Sequence, residues 1–206
     1  MKVDDTWLKR LFAGVVSMLV VAELLLVLVS WLLSATMAEN VRSLLSSEGI
    51  RWFVGSFISL LSTPWLAGLL LLSMAGGSLW QSGLLSVFTT PRNYRQRVAL
   101  RVTFTLFIIY IAAILLLTAV PHAVLLSATG RLWPSPFSRA LVPIAAFGLL
   151  LLSVAYGRTS GRFTSISDVV DSLSFGIGRA APLFILYVLT VQFYESLCFV
   201  FPFLQI

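Results

Sequence analysis

Long apolar runs constrain this chain more than any other feature of its sequence. The first run covers residues 11–34 and contains one charged residue, Glu23. An α-helix needs roughly 20 apolar residues to cross the hydrocarbon core of a bilayer, so this run is long enough to span it. Of the 206 residues, 59% are hydrophobic and only 11% are charged, which is too apolar for a soluble domain or a disordered chain. The sequence therefore predicts an all-α integral membrane protein.

Five apolar segments are predicted to span the membrane within a single membrane domain over residues 1–206. They cover approximately residues 11–34, 64–88, 102–126, 140–156 and 180–203. Two further segments, 48–62 and 165–178, have the periodicity of amphipathic helices that lie at the interface or re-enter the membrane. Two alternatives stay open. Residues 48–62 could extend the following span, and residues 11–34 could be a signal peptide, although their apolar run is longer than that of a signal peptide.

The distribution of basic residues predicts the orientation. With a cytoplasmic N-terminus, the inner segments hold ten of the 14 Lys and Arg residues and the outer segments hold four. The ten are Lys2, Lys9, Arg10, Arg92, Arg95, Arg97, Arg101, Arg158, Arg162 and Arg179. Cytoplasmic loops of membrane proteins are enriched in Lys and Arg, so we predict a multi-pass protein of the bacterial inner membrane with its N-terminus inside. The same loops explain the pI of about 10.1 without nucleic-acid binding, because no separate basic domain exists.

Small residues line one stretch of the second span. Ser78, Ser82 and Ser86 are four residues apart and share a helix face, and Ser73 and Gly77 form a second pair at the same spacing. Small side chains allow helix backbones to approach closely in lipid. We interpret these residues as a helix-packing face, and a polar path for a solute is the alternative.

Several polar side chains in the spans are candidates for a proton or polar path. Glu23 and Glu195 lie at about 18 and 22 Å from the starts of the first and fifth spans, at 1.5 Å per residue. Charged groups in a membrane are costly and usually face a bundle interior or water, so each glutamate is a candidate proton carrier or a neutral hydrogen-bonding partner of another helix. Gln192 and Ser196 share a helix stripe with Glu195. His122, near the end of the third span, could relay protons or bond a carbonyl group.

The sequence offers no chemistry of the enzymatic kind. It contains one histidine and one cysteine, Cys198, on different predicted spans, which cannot form a metal site by themselves. We found no phosphate-binding loop, no metalloprotease motif and no nucleophile–base pair. We therefore predict no enzyme activity, no metal and no cofactor.

Five segments, in order along the chain, resemble the AbgT family of p-aminobenzoyl-glutamate transporters. They are SLLSSEGIRWFVGSF (43–57), GLLLLSMAGGSLWQSGLL (68–85), WPSPFSRALVPI (133–144), AYGRTSGRFTSISDVVDSLS (155–174) and YVLTVQFYES (187–196). The resemblance implies transport of a small anionic, folate-like solute by a homodimer, or by this chain together with a larger membrane partner. Proton motive force is the expected energy source.

The chain also departs from the AbgT pattern. Family members are longer, and two helical hairpins that carry much of their substrate and sodium site have no counterpart here. Of the family's substrate and sodium residues, only one has a corresponding position in this sequence, Gln192, and that correspondence is loose. Two other hypotheses therefore stay open: a non-transporting scaffold or accessory subunit, and, more weakly, a lipid-facing enzyme. Broken helices near the midplane would favour a transporter, and in the sequence only Gly76–Gly77 offers such a break.

Overall fold

The computed structural model describes residues 5–36, 41–88, 93–119 and 136–204. The helices are α1 (Asp5–Ala35), α2 (Ser47–Leu61), α3 (Pro64–Ser82), α4 (Tyr94–Ala119), α5 (Pro136–Ser160) and α6 (Ile166–Val200). Short 3-10 helices cover Leu84–Phe88 and Pro202–Leu204. The described part of the chain contains no strand. Four helices are long and apolar enough to cross a membrane, or five if the bent α2–α3 pair is one span, so the predicted helical membrane fold is confirmed.

Helix bounds differ from the predicted spans at several ends. α4 begins at Tyr94 and α5 extends over Pro136–Ser160, so both exceed the predicted apolar cores 102–126 and 140–156. The predicted end of the third span, beyond residue 119, lies outside the described residues. α3 ends at Ser82 because Gly83 takes a positive φ of 73°, and the chain continues as a 3-10 helix instead of the α-helix predicted to residue 88.

α6 is one continuous helix of 35 residues, where the sequence predicted two helices, 165–178 and 180–203. Pro182 lies inside it and does not end it, because a membrane helix can satisfy the backbone groups that a proline frees through neighbouring groups. The helix begins at a cap: Ser165 Oγ accepts a hydrogen bond from the Asp168 N–H at 3.3 Å. Asp168 Oδ2 in turn accepts one from the Ser165 N–H at 3.0 Å.

The break between helices lies at Ser62–Thr63 and not at Gly76–Gly77. α2 and α3 meet there at a bend of 46°, whereas α3 continues through both glycines. Pro64 begins α3, and its ring explains the position of the break, because the residue before a proline is disfavoured in the α conformation. Gly76–Gly77, the one possible break that the sequence offered, is not interrupted, and Gly77 instead makes a close helix contact.

The chain divides into two compact units, Met1–Leu66 with Ala181–Ile206, and Ala67–Ala180. The first unit has a core of Leu26, Leu44, Phe199 and Val200. Its loop before α2 is fixed by backbone groups: the Leu44 N–H donates to Ser30 Oγ at 3.2 Å, and the Arg42 N–H donates to the Val200 carbonyl at 3.1 Å. The loop therefore joins α1, α2 and the end of α6 in one packed region.

In the second unit, α3 packs against the first half of α6 at two glycines. A side chain at Gly77 would lie 2.5 Å from the Gly176 Cα atom, so the two backbones are in direct contact. On another pair, α4 and α5, the Tyr110 hydroxyl donates to the Ile144 carbonyl at 2.7 Å, and its ring covers Gly148. Small residues thus set both helix contacts, as expected for helices that pack in lipid.

Candidate functional site

Three polar side chains of the first unit, Glu23 on α1 and Gln192 and Ser196 on α6, form a hydrogen-bonded group that we call the α1–α6 polar cluster. Ser196 Oγ donates to Glu23 Oε1 at 2.7 Å. Gln192 Nε2 donates to Ser196 Oγ at 3.4 Å. Because Gln192 and Ser196 are one helical turn apart on α6, both can face the same side of α1. The cluster links two membrane helices that are 173 residues apart in sequence at this point.

Two members of the cluster are buried, Glu23 is half-buried, and the oxygen atoms are incompletely bonded. Ser196 is fully buried and Gln192 is 6% exposed. Two of its oxygens, Glu23 Oε2 and Gln192 Oε1, are buried and have no hydrogen-bond partner in the described part of the protein. A buried acceptor without a partner costs about 1–3 kcal/mol, so these atoms are the natural place for a proton or another hydrogen-bond donor to bind.

The chemistry of a carboxyl group suits this arrangement to proton exchange. Ionised Glu23 offers only acceptors, and protonated Glu23 offers one donor and acceptors. The bond from Ser196 to Glu23 Oε1 is compatible with both forms. A proton on the other oxygen, Oε2, would therefore leave the α1–α6 contact through Ser196 in place.

Glu195 lies apart from the cluster, although it neighbours Ser196 in sequence. Successive helix residues point about 100° apart. Glu195 consequently faces a cleft of about 270 Å³ whose lining includes Arg42, Glu48 and Trp52. The structure thus separates two glutamates that the sequence grouped as candidates for one path. His122 lies outside the described residues.

The small residues of the second span lie at helix contacts of the second unit. Ser73 and Gly77 touch α6, Ser78 and Ser82 are fully buried, and Ser86 is half-buried in the 3-10 helix after α3. The opposing surface on α6 is a matching pair, Ser172 and Gly176, which the sequence analysis did not single out. Its four-residue spacing of small residues was a signal that could have revealed it.

The α2–α3 break carries a polar contact in the first unit. The hydroxyl of Thr63, at the break, and the hydroxyl of Tyr187, on α6, are hydrogen-bonded to each other. The Thr63 N–H bonds to the Leu61 carbonyl at 2.8 Å, and the Leu66 N–H to the Thr63 carbonyl at 3.2 Å. Interrupted helices with polar groups at the interruption are a recurrent feature of membrane transporters. Thr63 and Tyr187 were not predicted, because neither has a partner nearby in sequence.

No curated protein and no solved structure matches the chain. Residues 89–199, more than half of the chain, match the family model of the AbgT transporter family. The matched range contains Gln192 and Ser196, and it excludes Glu23 and the α2–α3 break.

Proposed function

The chain belongs to the AbgT transporter family, a family of membrane transporters, and from this premise we propose its specific activity. We propose that it moves a small anionic, folate-like solute such as p-aminobenzoyl-glutamate across the bacterial inner membrane, coupled to protons. Glu23 carries the proton, and Ser196 and Gln192 hold its side chain in position.

The observation that carries this proposal is the 2.7 Å hydrogen bond from Ser196 to Glu23, next to a buried carboxyl oxygen without a partner. Ionisable residues within membrane helices are costly, and they commonly mark ion or proton pathways. A glutamate kept only for structure would be expected to use both of its oxygens. Here one oxygen is bonded and the other is open to a proton.

The bend at Ser62–Thr63 supports a transporter over a static membrane anchor. A helix interruption frees backbone groups, and non-helical backbone at membrane depth is tolerated where it is buried in protein or lines a cavity. Alternating access in transporters often involves such discontinuous helices. The Thr63–Tyr187 contact would be the point at which α2–α3 and α6 move relative to each other.

Assembly with another chain and orientation in the membrane are also parts of the proposal. α1 exposes large apolar side chains along its length, including Met18, Leu24 and Leu32, which face lipid or a second subunit. A homodimer, or a larger membrane partner, would supply the parts of the substrate site that this chain does not resemble. The cation distribution supports an inside N-terminus.

A reconstitution experiment tests proton coupling. The full chain is placed in liposomes with a pH gradient and an internal pH dye, and p-aminobenzoyl-glutamate is added outside. We expect proton entry to depend on the solute in the wild type and to fall to the level of protein-free liposomes in Glu23→Gln, because an amide keeps one donor and one acceptor but cannot titrate.

Glu195→Gln is the matched control, since it makes the same change one residue from Ser196 but outside the cluster. It should leave proton entry unchanged. Equal proton entry in Glu23→Gln and wild type would refute the carrier role of Glu23. If only Glu195→Gln reduced proton entry, Glu195 in the cleft would be the proton carrier in place of Glu23.

An accessory subunit is the second candidate function. It is favoured by one observation: the described residues contain a single bent helix pair, whereas the family resemblance implies two hairpins. In that case the wild-type chain alone moves neither protons nor solute. Purification in mild detergent would then recover it with a second membrane protein, and transport would return only with that partner.

A further inference from the structure

We propose that the cleft at the end of α6 in the first unit binds an ammonium–phosphate zwitterion, and that its source is the headgroup of a phospholipid such as phosphatidylethanolamine. The cleft has a volume of about 270 Å³. Arg42 contributes a cation to its lining, Glu48 and Glu195 contribute two carboxylates, and Trp52 and Phe199 provide an aromatic wall. The proposal is independent of proton coupling, because the α1–α6 polar cluster lies on a different face of α6.

The wall of the cleft is fixed by packing. The rings of Trp52 and Phe199 are stacked, with centroids 4.5 Å apart and planes inclined by 21°. The Arg42 guanidinium lies 5.9 Å from the centre of the Phe199 ring, within the range of a cation–π contact. The Arg42 backbone is bonded to Val200 at 3.1 Å. The Arg42 main chain is therefore fixed at the edge of the cleft, and its guanidinium lies beside the aromatic wall.

The charges of the cleft are incompletely neutralised. Arg42 and Glu48 approach to only 4.0 Å, and their side chains are 56% and 71% exposed, so this ion pair is weak. Glu195 is half-buried and, in the described part of the chain, has neither a hydrogen-bond nor an ion-pair partner. One cation beside two carboxylates complements a ligand that carries both a phosphate and a primary amine. The guanidinium can bind phosphate oxygens in pairs, and the amine can donate to the carboxylates.

The position of the cleft favours a lipid as the source of this group. It lies at the end of a membrane helix, where α6 finishes at Val200 and α2 begins at Ser47. Tryptophan side chains concentrate at this depth, at the boundary of headgroups and acyl chains. On α2, Ile50 and Val54 are exposed apolar residues that can contact acyl chains. The volume is below the roughly 300–1,000 Å³ of pockets for drug-sized ligands, as suits a headgroup.

Native mass spectrometry of the full chain in mild detergent tests the proposal. The chain is titrated with phosphatidylethanolamine, with phosphatidylglycerol, which lacks the amine, and with phosphatidylcholine, whose amine has no N–H. We expect phosphatidylethanolamine to bind best. We expect its affinity to fall about tenfold in Arg42→Gln and in Glu195→Gln, since each loses a charge-assisted hydrogen bond.

Arg51→Gln is the matched control for Arg42→Gln, and Asp171→Asn is the matched control for Glu195→Gln. Each control removes an exposed charge of the same sign as its partner variant, at a residue that does not line the cleft. Both should bind like the wild type, and the thermal unfolding midpoints of all four variants should show that each is folded. If either cleft variant fails to fold, Glu48→Gln replaces it. Equal binding of the three lipids, or equal affinity in cleft and control variants, would overturn the proposal.

A competition experiment with a soluble compound distinguishes a phospholipid headgroup from a free zwitterion as the ligand of the cleft. Glycerophosphoethanolamine has the same headgroup without acyl chains. Weak competition by it, with tight binding of the intact lipid, supports the lipid source. If the soluble compound binds with the same variant pattern and the lipid does not bind, the lipid source is overturned.

Discussion

The contact of α3 with α6 at Gly77 and Gly176 allows a quantitative prediction for Gly176→Ala. The added methyl carbon would lie 2.0 Å from the Ser73 carbonyl oxygen and 2.9 Å from the Gly77 Cα atom. Ordinary van der Waals contact begins at 3.4 Å, so the two helices must separate locally by about 1.4 Å (3.4 minus 2.0). The obstructing atoms belong to the backbone and cannot rotate away. The separation therefore removes contacts along the whole crossing.

The magnitude follows from two opposing effects. Overpacking of a tight contact costs about 1–3 kcal/mol. Replacing a helical glycine by alanine contributes about 0.5–1 kcal/mol of stabilisation through backbone entropy. Lipid gives no hydrophobic compensation when helices separate. We therefore expect Gly176→Ala to lower the free energy of unfolding by about 1 kcal/mol, the difference between the mid-points of these two ranges.

Two neighbouring glycines serve as controls. A side chain at Gly178 on α6 or at Gly76 on α3 meets nothing within 4 Å. Gly178→Ala and Gly76→Ala keep only the entropic benefit, so we expect stability equal to the wild type or higher by up to about 1 kcal/mol. Each control lies within two residues of a contact glycine on the same helix.

The assay is unfolding by sodium dodecyl sulfate in mixed micelles, followed by the loss of helical circular dichroism. The detergent fraction at the midpoint should order the variants as Gly178→Ala, wild type and Gly176→Ala, from most to least stable. Equal midpoints for Gly176→Ala and Gly178→Ala would refute the reasoning, because the two changes differ only in the contact. Such a result would mean that α3 and α6 do not touch at these glycines.

Two further predictions concern α4–α5 packing and the orientation of the chain. Tyr110→Phe keeps the ring and removes the hydrogen bond to Ile144. The same unfolding assay should show a free energy of unfolding lower by about 0.6 kcal/mol, the average for interhelical hydrogen bonds in a membrane protein. An unchanged free energy of unfolding would show that the hydroxyl contributes nothing to the contact. For the orientation, single cysteines are introduced in a Cys198→Ala background and exposed to an impermeant thiol reagent in intact cells. A cysteine at Arg95 should be shielded, and a cysteine at Ser47 should be labelled. The opposite pattern would contradict an inside N-terminus.

The candidate site could be predicted only in part from the sequence. Gln192 and Ser196 could be placed on one face of α6, because the spacing of a helix fixes which residues share a side. Their contact with Glu23 could not be placed, because it depends on how α1 is rotated and where it meets α6. The same local rule grouped Glu195 with them, yet the rotation between adjacent residues puts it on the cleft.

Helix interruptions show the same limit. In the sequence, Gly76–Gly77 was the one possible break. In the structure Gly77 is part of a close backbone contact, which stabilises the helix there, and the break lies before Pro64. The continuity of α6 through Pro182 shows the same limit, because a proline is tolerated inside a membrane helix and does not by itself decide where the helix ends.

The sequence by itself determined that this is a helical membrane protein of the AbgT type and which segments are apolar enough to cross the bilayer. It could do so because hydrophobicity and helix formation are local properties, set by each residue and its neighbours within a few turns. Only the tertiary structure decided that Glu23 meets Ser196, that Gly77 meets Gly176, and that Glu195 faces a cleft with Arg42. These pairings depend on the rotation and crossing of whole helices, which result from many small van der Waals contacts distributed along each interface and leave no single mark in the chain.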